Sequence, residues 1–446
     1  MKTKYSFLFA LLMSFFSQAQ FSIEGTLQPK NDELTWAMLY QMKDGRQHYL
    51  KNTKIKDGSF KFEIPEDSKK GMYRVVYRLK GEGFVDFLFN KENVKFSFDP
   101  AYAEGTSVFE TSRENKTYQN YLQNIYGVQQ YIDSLQVAYF RGPNEASEEL
   151  YVEGLVILKQ TQAQHESLSE GMLAHDFIKA SQRYNSETIS KSPQTYLKNI
   201  KENFFQHIDF ENTALQESSF LVDRVMDYVF HINYSKDPKV QSRLYREAVE
   251  NILLIPKKQE LKRDLIQILI EEFVKFEETA EVRFLFENYY DLLPKELQKQ
   301  DYKAETLARI AVSIGNKAPE ITWEEDKKEF KLSELNSSKN YVVVFWSTGC
   351  SHCKKQLPEM YTYMKDFKDI AVIAVGLEEK SKTWKSLVKD FKGWHHVLGL
   401  NKWENETARS YGVTGTPSYF VLDKDKKIIA KPDNFRDLAK VLKNLN

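Results

Sequence analysis

The stretch that most restricts the fold of this chain is a continuously apolar run, Val342-Val343-Val344-Phe345-Trp346, followed at once by Ser347-Thr348-Gly349 and Cys350-Ser351-His352-Cys353. Successive apolar residues without alternation fit a central strand buried on both faces, and such strands belong to sheets covered by helices on each side. The chain has only two cysteines, and both lie in this motif. They cannot staple a small fold together at several places, so their purpose is local.

A helix that begins at or near Cys350 sets the first sulfur beside unpaired backbone N–H groups and the positive end of the helix dipole. A thiolate is stabilised there and its pKa falls. An imidazolium at His352 would favour the same anion, with a weaker screened contribution from Lys354 and Lys355. Stabilising the reduced thiolate raises the reduction potential, so His352 biases the pair towards oxidising others. Cys350 is the expected nucleophile, and Cys353, deeper in the helix, the residue that resolves a mixed disulfide. Further on, Val413-Thr414-Gly415-Thr416-Pro417 precedes an apolar strand, Tyr419-Phe420-Val421-Leu422. Proline there suggests a tight turn of the kind a cis bond makes, leaving backbone groups of Thr416 free to pair with an extended substrate chain.

Around this motif strands and helices alternate. The order is strand Tyr341–Trp346, helix from Cys350, strand Ile370–Val375, helix near Lys380–Phe391, strands His396–Leu398, Ser418–Leu422 and Lys427–Ala430, and a closing helix Phe435–Leu445. That is an α/β sheet with helices on both faces. The segment opens at Gly315-Asn316-Lys317-Ala318-Pro319, which breaks a preceding helical pattern and puts a boundary there. At 446 residues the chain is too long for one hydrophobic core. Residues 20–110 read as a small antiparallel β-sandwich, because Phe60, Phe62 and Ile64 alternate with Lys61 and Glu63, and Asp57-Gly58 and Gly81-Glu82-Gly83 supply turns. Residues 111–314 read as an all-α region, with stripes such as Tyr118, Tyr121, Leu122 and Ile125, and with Pro238, Pro256 and Pro294 as helix-ending punctuation. The expectation is therefore a multidomain chain: signal peptide 1–19, β-sandwich 20–110, helical domain 111–314 and α/β domain 315–446.

Lys2 and Lys4 ahead of an apolar run Phe7–Phe16, then Ser17-Gln18-Ala19, have the layout of a secretory signal peptide cleaved after Ala19. The alternative is an uncleaved anchor in the envelope, but the run is shorter than the ~20 residues that span a bilayer, so no retained membrane span is expected. Lys+Arg and Asp+Glu balance at 63 each, which gives no reason to expect nucleic acid as partner.

The motif Val-Val-Phe-Trp-x-x-x-Cys-x-x-Cys, with Gly415-Thr416-Pro417 downstream, resembles the thioredoxin superfamily. Gly315-x-x-Ala318-Pro319, Pro358 inside the active-site helix and the export signal are similar to the TlpA-like and ResA-like branch. The resemblance covers residues 315–446 and implies a thioredoxin-like fold, a redox-active Cys350–Cys353 pair, catalytic roles for His352 and Pro417, and substrate contacts at Thr416, Trp346 and Gly349. It implies no cofactor and a periplasmic enzyme exchanging thiols with protein disulfide or dithiol substrates, fed in some cases by a membrane electron-donor protein. Two departures stand out: Gln356 and Val344 occupy positions where relatives carry acids that relay the proton of the buried thiol. Gly349 also replaces a tryptophan common before the first cysteine, which opens the surface around the sulfur. A redox-inactive binding module is the alternative function. A zinc site would lack half its ligands, and His395-His396, as strand neighbours, point to opposite faces. No metal is expected. The Pro-x-x-x-Thr-x-x-Cys motif of peroxidases is absent.

Overall fold

The computed structural model describes residues 20–446 except Leu79, Lys80, Glu82, Asp326 and Asn446. The signal-peptide reading, residues 1–19, lies outside the described residues, as does part of the expected turn around Gly81. The chain divides into two compact units, one ending at Asp264 and one beginning at Leu265. The division falls within the helix Gln259–Lys275.

The first unit opens with two four-stranded sheets. Strands β1 (Gln20–Leu27), β2 (Trp36–Lys43), β3 (Arg46–Lys54), β4 (Ser59–Pro65), β5 (Gly71–Val76), β6 (Phe84–Phe89), β7 (Val94–Phe98) and β8 (Val108–Phe109) form sheets in the orders β4-β1-β7-β8 and β3-β2-β5-β6. The alternation Phe60, Phe62, Ile64 turns these side chains into a core shared with Leu39, Val75 and Phe87 of the other sheet. Asp57 and Gly58 both have positive φ, 49° and 73°, and Lys56 and Ser59 exchange hydrogen bonds across them. This is the two-residue turn whose twist suits a hairpin, but only an isolated bridge closes it, for the flanking strands β3 and β4 belong to different sheets. One pair departs from the antiparallel expectation, for β1 and β7 run parallel. Alternation along each strand carries no information about strand direction.

Helices follow, with Arg113–Arg141 and Glu145–Leu168 packed through Ile132, Tyr139, Tyr151 and Leu155. Polar locks fix the first helix on the sandwich. Asn115 accepts from the Leu88 N–H at 2.8 Å and donates to its carbonyl at 2.7 Å, extending the edge of β6, while Glu92 accepts from the N–H groups of Arg113 and Glu114. Pro238 was expected to end a helix and instead starts one, Pro238–Leu253, behind an Asp237 cap. A missing N–H costs nothing at that first position.

The helix Phe220–Met226 carries Asp223, whose carboxyl is open to a wide cleft yet walled by protein on most sides. Burial pushes it up to about 6, Asp86 acts in the same direction, and the Ser219 hydroxyl, Arg74 and Arg224 oppose both. The folded chain therefore binds a proton more readily than the unfolded one. The stability this gives is present in full below the ordinary value of 3.8 and is lost as pH rises through 6. Asp223→Asn, which mimics the protonated form, should raise Tm at pH 7.5, and the gain should shrink on going to pH 4.5. Equal gains at both pH values in thermal melts would contradict this.

In the second unit, the helices Thr279–Asn288 and Gln300–Ala311 precede the hairpin β9 (Thr322–Glu325) and β10 (Lys328–Lys331). A five-stranded mixed sheet then forms in the order β13-β12-β11-β14-β15, with β11 (Asn340–Trp346), β12 (Ile370–Glu378), β13 (His395–Leu400), β14 (Ser418–Leu422) and β15 (Ile428–Ala430). β11 is central, parallel to β12 and antiparallel to β14. Its residues Tyr341, Val343 and Phe345 enter one core and Val342, Val344 and Trp346 the other. The uninterrupted apolar run is thus explained by two buried faces, each side chain contributing about 1.5–3 kcal/mol relative to exposure. The helices Ser351–Met364 and Phe435–Lys443 cover the Trp346 face, and the helix Glu406–Ser410 covers the Phe345 face. No helix among the described residues is long and apolar enough to cross a membrane.

Candidate active site

β11 ends at Trp346, and its chain turns through Ser347-Thr348-Gly349 into the helix Ser351–Met364, for which Cys350 is the N-cap. The Cys350 backbone is extended, and the backbone N–H of Cys353 points at its Sγ from 3.1 Å. This is the orphan donor of a helix first turn, aimed at sulfur rather than at the usual oxygen. Cys350 and Cys353 are joined as a disulfide, with Cα atoms 5.3 Å apart. Their exposures differ sharply: Cys350 is partly exposed, whereas Cys353 is 0% exposed within the core beside Val344 and Leu357.

The loop before β14 reaches the same sulfur. The Thr416–Pro417 peptide is cis, and the Thr416 carbonyl oxygen lies 3.3 Å from Cys350 Sγ. Neither sulfur of a disulfide carries a proton, so this is a contact; on reduction the Cys350 thiol gains a hydrogen that it can donate to that oxygen. The Thr416 N–H has no partner among the described residues. Gly349 is exposed, and a Cβ there would meet nothing nearer than Ser347 Oγ at 3.8 Å, so nothing in the backbone or packing demands glycine. Its effect is to leave the approach to Cys350 bare.

The remaining expected residues are placed differently from one another. His352 stands exposed on the first turn, and no hydrogen bond or ion pair engages it among the described residues. Trp346 is 1% exposed and packs edge-on to Phe391, so in this state it supports the site from beneath and offers a partner no surface. Gln356 has its Oε1 occupied twice, by the Tyr419 hydroxyl at 3.1 Å and the Phe435 N–H at 3.2 Å. That side chain ties the active-site helix to β14 and to the closing helix. His395 and His396 do diverge, one reaching Glu325 and the other the Phe391 carbonyl. Burial lowers the pKa of His396.

One residue escaped sequence reasoning. Glu378, the last residue of β12, is 6% exposed and takes two bonds from Thr348, from its N–H at 2.5 Å and its hydroxyl at 2.8 Å. The parallel pairing of β11 and β12 brings their C-terminal ends together, Trp346 opposite Gly376, so the acid sits beside the loop that follows Trp346. The signal was present: the apolar strand pattern runs on through Gly376-Leu377, and an acid closing a buried strand needs a partner.

Comparison with known proteins places this geometry. The AhpC/TSA family profile matches residues 314–431, and a domain of unknown function, DUF4369, matches residues 21–118. The thiol-disulfide oxidoreductase ResA of Bacillus thuringiensis subsp. konkukian is 30% identical over 122 residues, covering 26% of this chain and 68% of the relative. The chain belongs to the ResA-like thiol-disulfide oxidoreductases of the thioredoxin superfamily. ResA of Bacillus subtilis is 27% identical over 131 residues, covering 29% of this chain and 72% of that one. Among solved structures, the thioredoxin domain of a thiol-disulfide oxidoreductase from Bacteroides vulgatus is 28% identical, with a TM-score of 0.27, covering 30% of this chain and 97% of that domain. A putative thiol:disulfide interchange protein DsbE from Chlorobium tepidum matches at 24% identity and a TM-score of 0.26, covering 30% and 94%. As in this ResA-like family, the C-terminal part is a thioredoxin-like enzyme domain with a Cys-x-x-Cys pair; a β-rich region and a helical region precede it.

Proposed function

We propose that this chain is an exported thiol-disulfide oxidoreductase in which residues 315–446 exchange a Cys350–Cys353 disulfide or dithiol with partner proteins. The observation that carries the reading is the asymmetry of the pair: a partly exposed sulfur at a helix N-cap with a backbone N–H aimed at it, and a fully buried sulfur one turn on. In the reducing direction the Cys350 thiolate attacks one sulfur of a partner disulfide, forming a mixed disulfide and expelling the partner's other sulfur as a thiolate, which takes up a proton. The Cys353 thiolate then attacks Cys350 Sγ and releases the second partner sulfur. Two electrons pass to the partner, and Cys350 and Cys353 are left joined. The oxidising direction is the reverse sequence.

The helix N-terminus, whose Cys353 N–H is aimed at Cys350 Sγ, favours its thiolate, His352 stands exposed on the same first turn, and the open N–H of Thr416 beside Pro417 takes an extended partner chain. Glu378 positions the loop that presents Cys350. Residues 1–19 are the export signal, the compartment is the periplasm, and residues 20–110 and 111–314 position or select the partner.

In glutathione buffers the pair should titrate as one two-electron couple, where each 30 mV corresponds to about 1.4 kcal/mol. A potential near those of strong oxidants would make the chain a disulfide donor, and one near that of thioredoxin a reductant. The double variant Cys350→Ser, Cys353→Ser should lose both exchange with glutathione disulfide and function in cells. Cellular function surviving in that variant would establish a redox-inactive binding module instead.

A further inference from the structure

The first unit holds a cleft of about 1760 Å³ between the β5–β6 side of the sandwich and the helices Arg113–Arg141 and Glu145–Leu168. This exceeds the ~300–1,000 Å³ usual for a single small ligand. Its walls are preformed. Asn115 is bonded to Leu88, and the buried Glu114 carboxylate takes the N–H groups of Leu173 and Ala174 at 3.1 and 2.8 Å, so the helices cannot close onto the sandwich without breaking buried polar bonds.

The chemistry inside is that of a surface made for chain-like polar ligands. Tyr126 is 63% exposed and Leu122 40% exposed on the same helix face. Gln123 and Tyr184 make no side-chain hydrogen bond among the described residues. A free side-chain amide offers a donor and an acceptor together, which matches a peptide group, and tyrosine supplies contact area at low cost in conformational entropy.

Charge narrows the ligand further. Arg74 is engaged by Asp86 through two bonds of 2.6 Å, and Arg183 by Asp133. Of the charged groups left in the lining without an ion pair among the described residues, Glu104, Glu166, Glu187 and Asp223 outnumber Lys159. The open cleft therefore carries excess negative charge in a concave setting that focuses its field.

We propose that this cleft docks an extended, basic polypeptide segment of the protein substrate, a reading that rests on the exchange function proposed above. A neutral oligosaccharide would use the tyrosine face and leave the excess negative charge unanswered. An acidic chain would be repelled.

The test uses the full chain as the Cys350→Ser, Cys353→Ser variant and fluorescence anisotropy with cysteine-free unstructured peptides, one alternating lysine with glycine and serine, the other with glutamate for lysine. Maltoheptaose serves as competitor. The lysine peptide should bind at least about tenfold more tightly than the glutamate peptide, weaken with added salt, and resist the sugar. Asp223→Asn and Tyr126→Ala should each raise its Kd by about twofold to fivefold, the range expected for one screened charge or one exposed aromatic contact. Equal binding of the two peptides, or Kd values indifferent to both substitutions, would overturn the proposal. Displacement by maltoheptaose would reassign the cleft to carbohydrate. With the cysteines intact, the KM for a lysine-rich peptide disulfide relative to that for glutathione disulfide should rise in Asp223→Asn. Binding without any exchange would sink the exchange reading and leave the cleft standing, whereas exchange with an unchanged KM ratio would do the opposite.

Discussion

Cys353→Ser should accumulate mixed disulfides through Cys350, while Cys350→Ser traps almost none and loses exchange by on the order of 10³-fold or more, as removal of a covalent nucleophile does. The asymmetry follows from the local backbone. The donor aimed at Cys350 Sγ is the backbone N–H of residue 353, not its side chain, so it survives the substitution and still stabilises the attacking thiolate. What is lost is the sulfur that would release the partner. In Cys350→Ser the surviving Cys353 thiol is 0% exposed among Val344, Leu357 and Met360, where a partner disulfide cannot reach it and a thiolate is disfavoured by burial. Because serine puts a hydroxyl into that apolar site at a cost of about 1–3 kcal/mol if unbonded, Cys353→Ala is the companion variant and should trap equally well. Non-reducing gels after acid quenching, followed by mass mapping of the joined cysteine, give the readout. Equal trapping by the two single variants, or by neither, would remove Cys350 as nucleophile.

The site was legible where chemistry and strand pattern coincide. The apolar run Val342–Trp346 announced a central strand because both its faces are buried, and the cysteine pair could be located because a strand, a short turn and a helix cap follow in order. Gln356 was legible as a non-titrating residue; its two accepted bonds, which tie three elements together, join residues far apart in sequence. The hairpin β9–β10 was missed, since two four-residue strands with several charged residues are too short to show a period. The parallel neighbours β1 and β7 were missed because periodicity fixes faces and not directions. Glu378 was missed for a related reason. The sequence pattern ends β12 at Val375, yet the strand runs three residues further, and those residues carry the acid to the end of the sheet where β11 delivers the active loop.

Glu378→Ala should slow the first exchange step by about 5- to 150-fold, the equivalent of the ~1–3 kcal/mol at stake in hydrogen bonds to a charged acceptor. Thr348 stands two residues before Cys350, and both its N–H and its hydroxyl are held by this one carboxylate, so removing it frees the turn that sets the direction of Cys350 Sγ. Glutamine separates position from charge. Its carbonyl oxygen can accept from the Thr348 N–H, and its NH₂ can donate to the Thr348 hydroxyl oxygen, so both links persist without a negative charge. Glu378→Gln should therefore keep the rate within a few-fold of wild type, and the midpoint of the rate-against-pH profile should stay in place in both variants. A midpoint moved by about a unit or more in Glu378→Gln would mean that the carboxylate acts on the Cys350 thiolate through its charge, since taking away a nearby anion makes a thiol easier to ionise. A loss in Gln as large as in Ala, with the midpoint fixed, would mean that only a charged acceptor is strong enough to hold the turn. Stopped-flow rates with glutathione disulfide across pH distinguish these outcomes, and thermal melts of the same variants report how much of the change is lost fold rather than lost aim.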